Sequence, residues 1–203
     1  MNWQEFTALL VLATAMSFTP GPNTTLSTAL AANHGLRRAR PFVCAVPVGW
    51  GALLAICALG LGALVLAVPL LGWAIKLSGV AYLLWLASKI GRSRQLGQLD
   101  AARLRVTFWQ GAALQFVNIK AWMLALAIVS GWIAGRADPG QRFAIVLPVM
   151  LAYAFVSNLT YALAGSLLRE WLTGPAGSGR RLRMFNRAMA AVLVVTAVWM
   201  LFI

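Results

Sequence analysis

Apolar residues in this chain fall in long, unbroken runs separated by short polar stretches. A membrane-crossing helix needs about 20 mostly apolar residues. Six runs meet that length, at roughly residues 5–33, 41–67, 70–91, 108–134, 143–168 and 184–203. Within them the apolar positions are continuous and do not alternate, so helices are expected and a transmembrane β-barrel is not. The pattern predicts an all-α integral membrane protein of six transmembrane helices, forming one transmembrane domain over residues 1–203. Two runs, the first and the fourth, are interrupted near the middle by polar residues and helix breakers.

Composition supports the same class. Hydrophobic residues make up 61 % and charged residues 10 %, against roughly 45–50 % and 25 % in soluble domains. Disorder requires low hydrophobicity and is excluded. A disulfide scaffold is excluded because the two cysteines, Cys44 and Cys57, share one apolar run, where they read as small packing residues. Gly49, Gly51, Gly60 and Gly62 in that run suit close helix contact and would allow a homodimer. The opening Met-Asn-Trp-Gln-Glu-Phe lacks a basic leader region, so the first helix is expected to be retained.

The net charge of +13 would suit nucleic acid if it lay on one face. Instead the basic residues cluster between apolar runs, as in the cytoplasmic loops of membrane proteins. Arg37, Arg38 and Arg40 lie between runs 1 and 2, Lys89, Arg92, Arg94, Arg103 and Arg105 between runs 3 and 4, and Arg169, Arg180, Arg181, Arg183 and Arg187 between runs 5 and 6. The connection between runs 4 and 5 has only Arg136 and Arg142. Thirteen basic residues against two predict that loops 1–2, 3–4 and 5–6 are cytoplasmic and both termini lie outside, in a multi-pass membrane protein. No nucleic-acid partner is expected; the lipid bilayer is.

Three spans per half place residues 1–91 and 108–203 in opposite orientations around a cytoplasmic linker, 92–107, giving a 3+3 inverted repeat. Transporters built this way hold substrate near the midplane where the halves meet. A short echo agrees: Phe42 to Val48 and Phe143 to Val149, opening spans 2 and 5, both read F-x4-P-V.

The interruption in span 1 is Thr19-Pro20-Gly21-Pro22-Asn23-Thr24-Thr25. Two prolines remove the N–H groups that would bond the carbonyls of Met16 and Phe18. Gly21 permits unusual dihedrals, and Asn23, Thr24 or Thr25 can cap a new half-helix running to Ala32. At about 1.5 Å per residue the break lies near the midplane, on its cytoplasmic side. Irregular backbone at that depth is tolerated where it is buried in protein or lines a cavity. The half-helix N-terminus suits a carboxylate and the freed carbonyls suit an ammonium, so the break can hold a zwitterion. The alternative is a proline kink filled by neighbouring side chains.

In span 4, Gln115, Asn118 and Lys120 interrupt the run. A lysine at the bilayer centre costs on the order of 3 kcal/mol, so Lys120 should face the bundle. The four acids, Glu5, Asp100, Asp138 and Glu170, all lie at interfaces or in loops. Lys120 is left with backbone carbonyls, Asn, water or a substrate carboxylate, the alternative being a lysine that snorkels to an interface. Snorkelling is expected of Lys76, beside Trp73. Asn158 and Tyr161 share a helix face in span 5 and would line the cavity or bridge helices. His34, the single histidine, sits with Asn33 and Gly35 where a helix C-cap is expected.

No Ser-His-Asp set, metal-ligand cluster or paired carboxylates can be assembled within the spans, and no phosphate-binding glycine loop is present. An enzyme, a metal and a cofactor are therefore not expected. Proton coupling is not required by the sequence; if protons drive transport, Lys120 is the candidate titrating group.

Several motifs resemble the lysine exporter/RhtB family of amino-acid exporters. They are Thr19-Pro20-Gly21-Pro22-Asn23, then His34-Gly35-Leu36-Arg37-Arg38, the span-3 stretch from Lys76-Leu77-Ser78-Gly79 to Ser88-Lys89, Gln115-Phe116-Val117-Asn118-Ile119-Lys120, and Asn158 followed by Ala162-Leu163-Ala164-Gly165. The resemblance covers the whole chain and is nearest the cysteine/O-acetylserine exporter branch. Ile119 stands where most members have Pro, which predicts a weaker kink in span 4. The resemblance implies export of a small amino acid or derivative from the bacterial cytoplasm, with the proton motive force as the family's general energy source. The expected substrate-binding residues are Pro20, Gly21, Pro22, Asn23, Thr24, Asn118, Lys120, Asn158 and Tyr161, used by alternating access of the two halves. The competing expectation is a non-transporting membrane subunit whose polar residues only join helices.

Overall fold

The computed structural model describes residues 1–92, 106–174 and 179–202. Those residues are helical, with no strand among them: α1 (Trp3–Phe18), α2 (Pro22–His34), α3 (Leu36–Ala58), α4 (Leu61–Ala67), α5 (Pro69–Arg92), α6 (Phe108–Val117), α7 (Ile119–Ile128), α8 (Pro139–Thr173) and α9 (Arg180–Phe202). Four of them, α3, α5, α8 and α9, are each long and apolar enough to cross a membrane, and α6 with α7 and its π-helical extension makes a fifth such segment bent by 69°. The described residues form an all-helical, membrane-spanning protein. Arg94, Asp100, Arg103 and Arg105, and with them most of the expected linker, lie outside the described residues.

The first apolar run forms two helices. Asn2 and Glu5 open α1 with a capping box, Glu5 N–H donating to Asn2 Oδ1 at 2.8 Å and Asn2 N–H to Glu5 Oε2 at 3.0 Å. The helix stops at Thr19, whose ψ of 128° is the extended conformation that a following proline imposes. Gly21 is extended, and Pro22 takes the first position of α2, where its missing N–H costs nothing. Gly35, at φ +80°, closes α2 and opens α3. The C-cap expected there is present.

Three boundaries differ from the sequence expectation. The 1–2 connection is Gly35 alone, so Arg37, Arg38 and Arg40 lie on the first turns of α3, not in a loop. The second run is divided at Leu59–Gly60, with Gly60 at φ +90°; hydrophobicity carries no mark of a turn built from a leucine and a glycine. Gly60 therefore makes a turn, and an added Cβ would meet nothing there, unlike Gly49, Gly51 and Gly62, each in close contact. Finally, α8 has 35 residues, about 52 Å at 1.5 Å per residue. It outruns a hydrocarbon core of about 30 Å and includes Arg142, Arg169 and Glu170 in regular helix.

Two apolar clusters organise the bundle. One gathers α2, α3, α5 and α9 around Leu26, Phe42, Leu86 and Leu193; the other joins α1, α3, α7 and α8 around Leu9, Leu54, Ile128 and Met150. Close backbone approaches hold them. A Cβ at Gly49 would collide with the backbone of Ala112, one at Gly79 with the carbonyl of Val117, and one at Gly165 with the carbonyl of Thr28. Only Leu9 and Ala13 of α1 are buried, whereas ten of the 13 residues of α2 are. Cys57 is a buried packing residue as expected, but Cys44 is exposed.

One end of the bundle carries an ion cluster. Glu5 bridges Arg136 at 3.3 Å and Arg142 at 3.1 Å, and Arg142 Nε reaches Asp138 at 2.7 Å. Trp132 Nε1 donates to the Glu5 carbonyl at 2.8 Å. The hydrogen bond from Arg142 holds the Asp138 carboxyl below its ordinary value. At another point Gly35 faces the Arg169 guanidinium, joining the α2–α3 junction to the far end of α8. Lys76 lies over the Trp73 ring at 4.8 Å and Lys89 over Trp85 at 3.7 Å.

Candidate functional site

The two helix breaks face each other. On one side are the end of α1, Gly21 and the start of α2; on the other, Asn118 between α6 and α7. Asn118 has φ −93° and ψ 100°, so the fourth segment breaks although Ile119 occupies the place of a proline. Its carbonyl accepts from Ala121 N at 2.9 Å and Trp122 N at 3.2 Å, and Trp122 Nε1 donates to the Phe116 carbonyl at 2.8 Å. These bonds supply locally what a proline would otherwise enforce.

Lys120 Nζ donates to the carbonyl of Thr19 at 2.9 Å. A backbone carbonyl, one of the partners anticipated for a lysine without an acid, is thus what it finds. The carbonyl of Phe18 accepts from Tyr161 Oη at 2.8 Å, so that freed acceptor of the first break is already engaged. Asn23 and Gln115 exchange amide hydrogen bonds of 2.8 and 3.1 Å, and Gln115 is fully buried. Thr24 closes the first turn of α2: Gly21 N–H donates to its Oγ1 at 2.9 Å. Ser27 Oγ donates to Asn158 Oδ1 at 2.8 Å, and Asn158 Nδ2 donates to the Ala154 carbonyl at 2.8 Å. Asn118 Oδ1 differs from all of these: it is buried and has no hydrogen-bond partner among the described residues.

Between the breaks lies a small cavity of about 60 Å³, room for a few water-sized groups. Of the nine expected residues, Gly21, Pro22, Asn23, Thr24, Asn118, Lys120 and Asn158 line it. Pro20 and Tyr161 are not among its walls; Tyr161 instead bridges α8 to the end of α1, and Pro20 shapes the break from outside. The walls also include Ser17, Thr19, Val46, Trp50, Met150 and Ser157, which sequence reasoning missed. Ser17, Thr19 and Ser157 stand beside expected residues and were findable by adjacency. Val46, Trp50 and Met150 lie in apolar runs that carry no such signal. Among the described residues no Asp, Glu, His or Cys lines the cavity, so there Lys120 supplies a positive charge with no acid beside it and no metal-ligating set.

Comparison with known proteins places this geometry in a family. The model of the LysE type translocator matches residues 14–202, a stretch containing both breaks. The chain is 32 % identical over 146 residues to the cysteine/O-acetylserine efflux protein of Escherichia coli (strain K12), covering 70 % of each chain. It matches the proteins of the same name from Shigella flexneri serotype 5b (strain 8401) and Shigella sonnei (strain Ss046) to the same extent. No solved structure matches. With the family model covering nearly the whole chain and both interrupted helices within it, the chain belongs to the LysE type translocator family.

Proposed function

We propose that the protein exports a small neutral amino acid or derivative across the bacterial inner membrane by alternating access. The observation that carries this reading is the bond from Lys120 to the Thr19 carbonyl across a cavity whose described walls hold no acid. One residue from each half meets there, as expected for a site at a repeat interface. In this reading α1 and α2 together form the first span, the six spans divide three and three, and the arginine-rich ends face the cytoplasm. Gly21, Pro22, Asn23, Thr24, Asn118, Lys120 and Asn158 contact the substrate, Tyr161 and Pro20 shape the break, and a cationic side chain is disfavoured by Lys120. The names of the relatives make cysteine and O-acetylserine the first solutes to test, and proton coupling is tested with them.

The experiment is uptake into inside-out vesicles of labelled O-acetylserine, cysteine, threonine, leucine and lysine, with and without a proton gradient. Accumulation of a neutral amino acid, lost in Lys120→Ala at normal protein level, is expected. Accumulation of none, with the protein verified in the vesicles, would sink the reading. A second reading, a non-transporting subunit, draws on the mutual satisfaction of Asn23 with Gln115 and of Ser27 with Asn158, contacts that join helices at about 0.6–2 kcal/mol each. It requires Lys120→Ala to lower stability without any flux to lose.

A further inference from the structure

We propose that Lys120 and Asn118 form a two-point dock for the head group of a free α-amino acid. The α-carboxylate accepts from Lys120 Nζ, and the α-ammonium donates to Asn118 Oδ1. The proposal rests on the exporter reading and makes its substrate class specific.

The argument proceeds by which polar atoms of the cavity remain available. Asn158 Oδ1 accepts from Ser27, the Asn23 and Gln115 amides are engaged with each other, and the Phe18 carbonyl accepts from Tyr161. Among the side-chain acceptors of the two breaks, Asn118 Oδ1 is the buried one that lacks a donor among the described residues. Its residue is 4 % exposed and lines the cavity. A buried acceptor without a donor is costly, and a ligand that supplies the donor recovers that cost. An ammonium supplies it with charge assistance.

Lys120 presents the complementary half. An ammonium has three donors, and one is spent on a neutral carbonyl. A carboxylate is the stronger acceptor for it, and no carboxylate among the described residues lines the cavity. Gly21 lies against the approach: a Cβ there would already be in van der Waals contact with Lys120, 3.4 Å from Cδ and 3.5 Å from Nζ, so a branched side chain would crowd the ammonium. The two docking residues are separated only by Ile119, across the break that turns them into the same cavity. The side chain of the bound amino acid is left to the walls made by Val46, Trp50, Leu124 and Met150, which are apolar and suit a small neutral group.

The test uses the unaltered protein in inside-out vesicles and whichever of the five labelled amino acids accumulates. Competition is measured with the unlabelled amino acid, its α-methyl ester and its N-acetyl derivative. Because a site built for a hydrogen-bonding group rejects analogues that lack it, both derivatives should compete about tenfold less well or worse. Purified Lys120→Met, whose flux is expected to be lost, should bind the free amino acid no more tightly than its ester, and Gly21→Val should weaken all three. Equal competition by the ester and the free acid, or a Lys120→Met protein that still prefers the free acid, would overturn the dock while leaving export standing. Accumulation of no amino acid at all would overturn export and the dock together.

Discussion

At the residue scale, hydrogen bonds that cross between helices differ in what their loss should do. Tyr161→Phe removes the donor to the Phe18 carbonyl and keeps the ring, so stability should fall by about 1 kcal/mol, read as the denaturation midpoint of the purified protein. Gln115→Leu is worse. It leaves the half-buried Asn23 facing an apolar group, and a stranded polar partner costs about 1 kcal/mol or more. Lys120→Ala should do the reverse of both: export is lost, while the midpoint moves little because Thr19 is exposed and its carbonyl can be solvated.

At the element scale the glycines and the breaks decide what can change. Gly165→Val should destabilise by about 1–3 kcal/mol or more, since a Cβ would meet the backbone of Thr28 and overpacking cannot be relieved by a rotamer change. Gly131→Ala, where an added Cβ meets nothing within 4 Å, is the matched control and should leave the midpoint unchanged. The first break was legible because Pro20 and Pro22 remove named donors and no continuous helix survives that loss. The second was legible in its polar residues but not in its sharpness. Ile119 argued for a gentler bend, yet the hydrogen bonds around Asn118 and Trp122 hold 69° without a proline. The Leu59–Gly60 turn and the apolar cavity wall of Trp50 and Met150 were not legible, since each lies inside a hydrophobic run whose local pattern is indifferent to which side faces a cavity.

At the scale of the whole molecule, charge distribution and the ion cluster make separate predictions. Single cysteines placed at Gly140 and Gly179, in a protein with Cys44 and Cys57 replaced by Ser, should label from opposite sides of the membrane with an impermeant thiol reagent; labelling from one side would remove the proposed topology. The Asp138–Arg142–Glu5 cluster predicts an acid limb. Because the folded-state carboxyl of Asp138 lies below its unfolded value, its contribution is present above the ordinary carboxylate range and is lost as pH falls through the lowered value. Asp138→Asn should flatten the acid side of a midpoint-versus-pH curve and leave the neutral region in place.

The near-complete burial of α2 has a bearing on how the protein is made. Its polar residues are satisfied by chain that emerges from the ribosome much later: Asn23 by Gln115, Ser27 by Asn158 and Asn33 by Asn186. Nor are α1 and α2 among the helices long and apolar enough to cross alone. The opening segment must therefore wait, lodged at the insertion machinery or loosely in lipid, until α6, α8 and finally α9 arrive to enclose it. Chains arrested before α9 should keep α2 open to proteolysis, and protection should appear only when the last helix has been added.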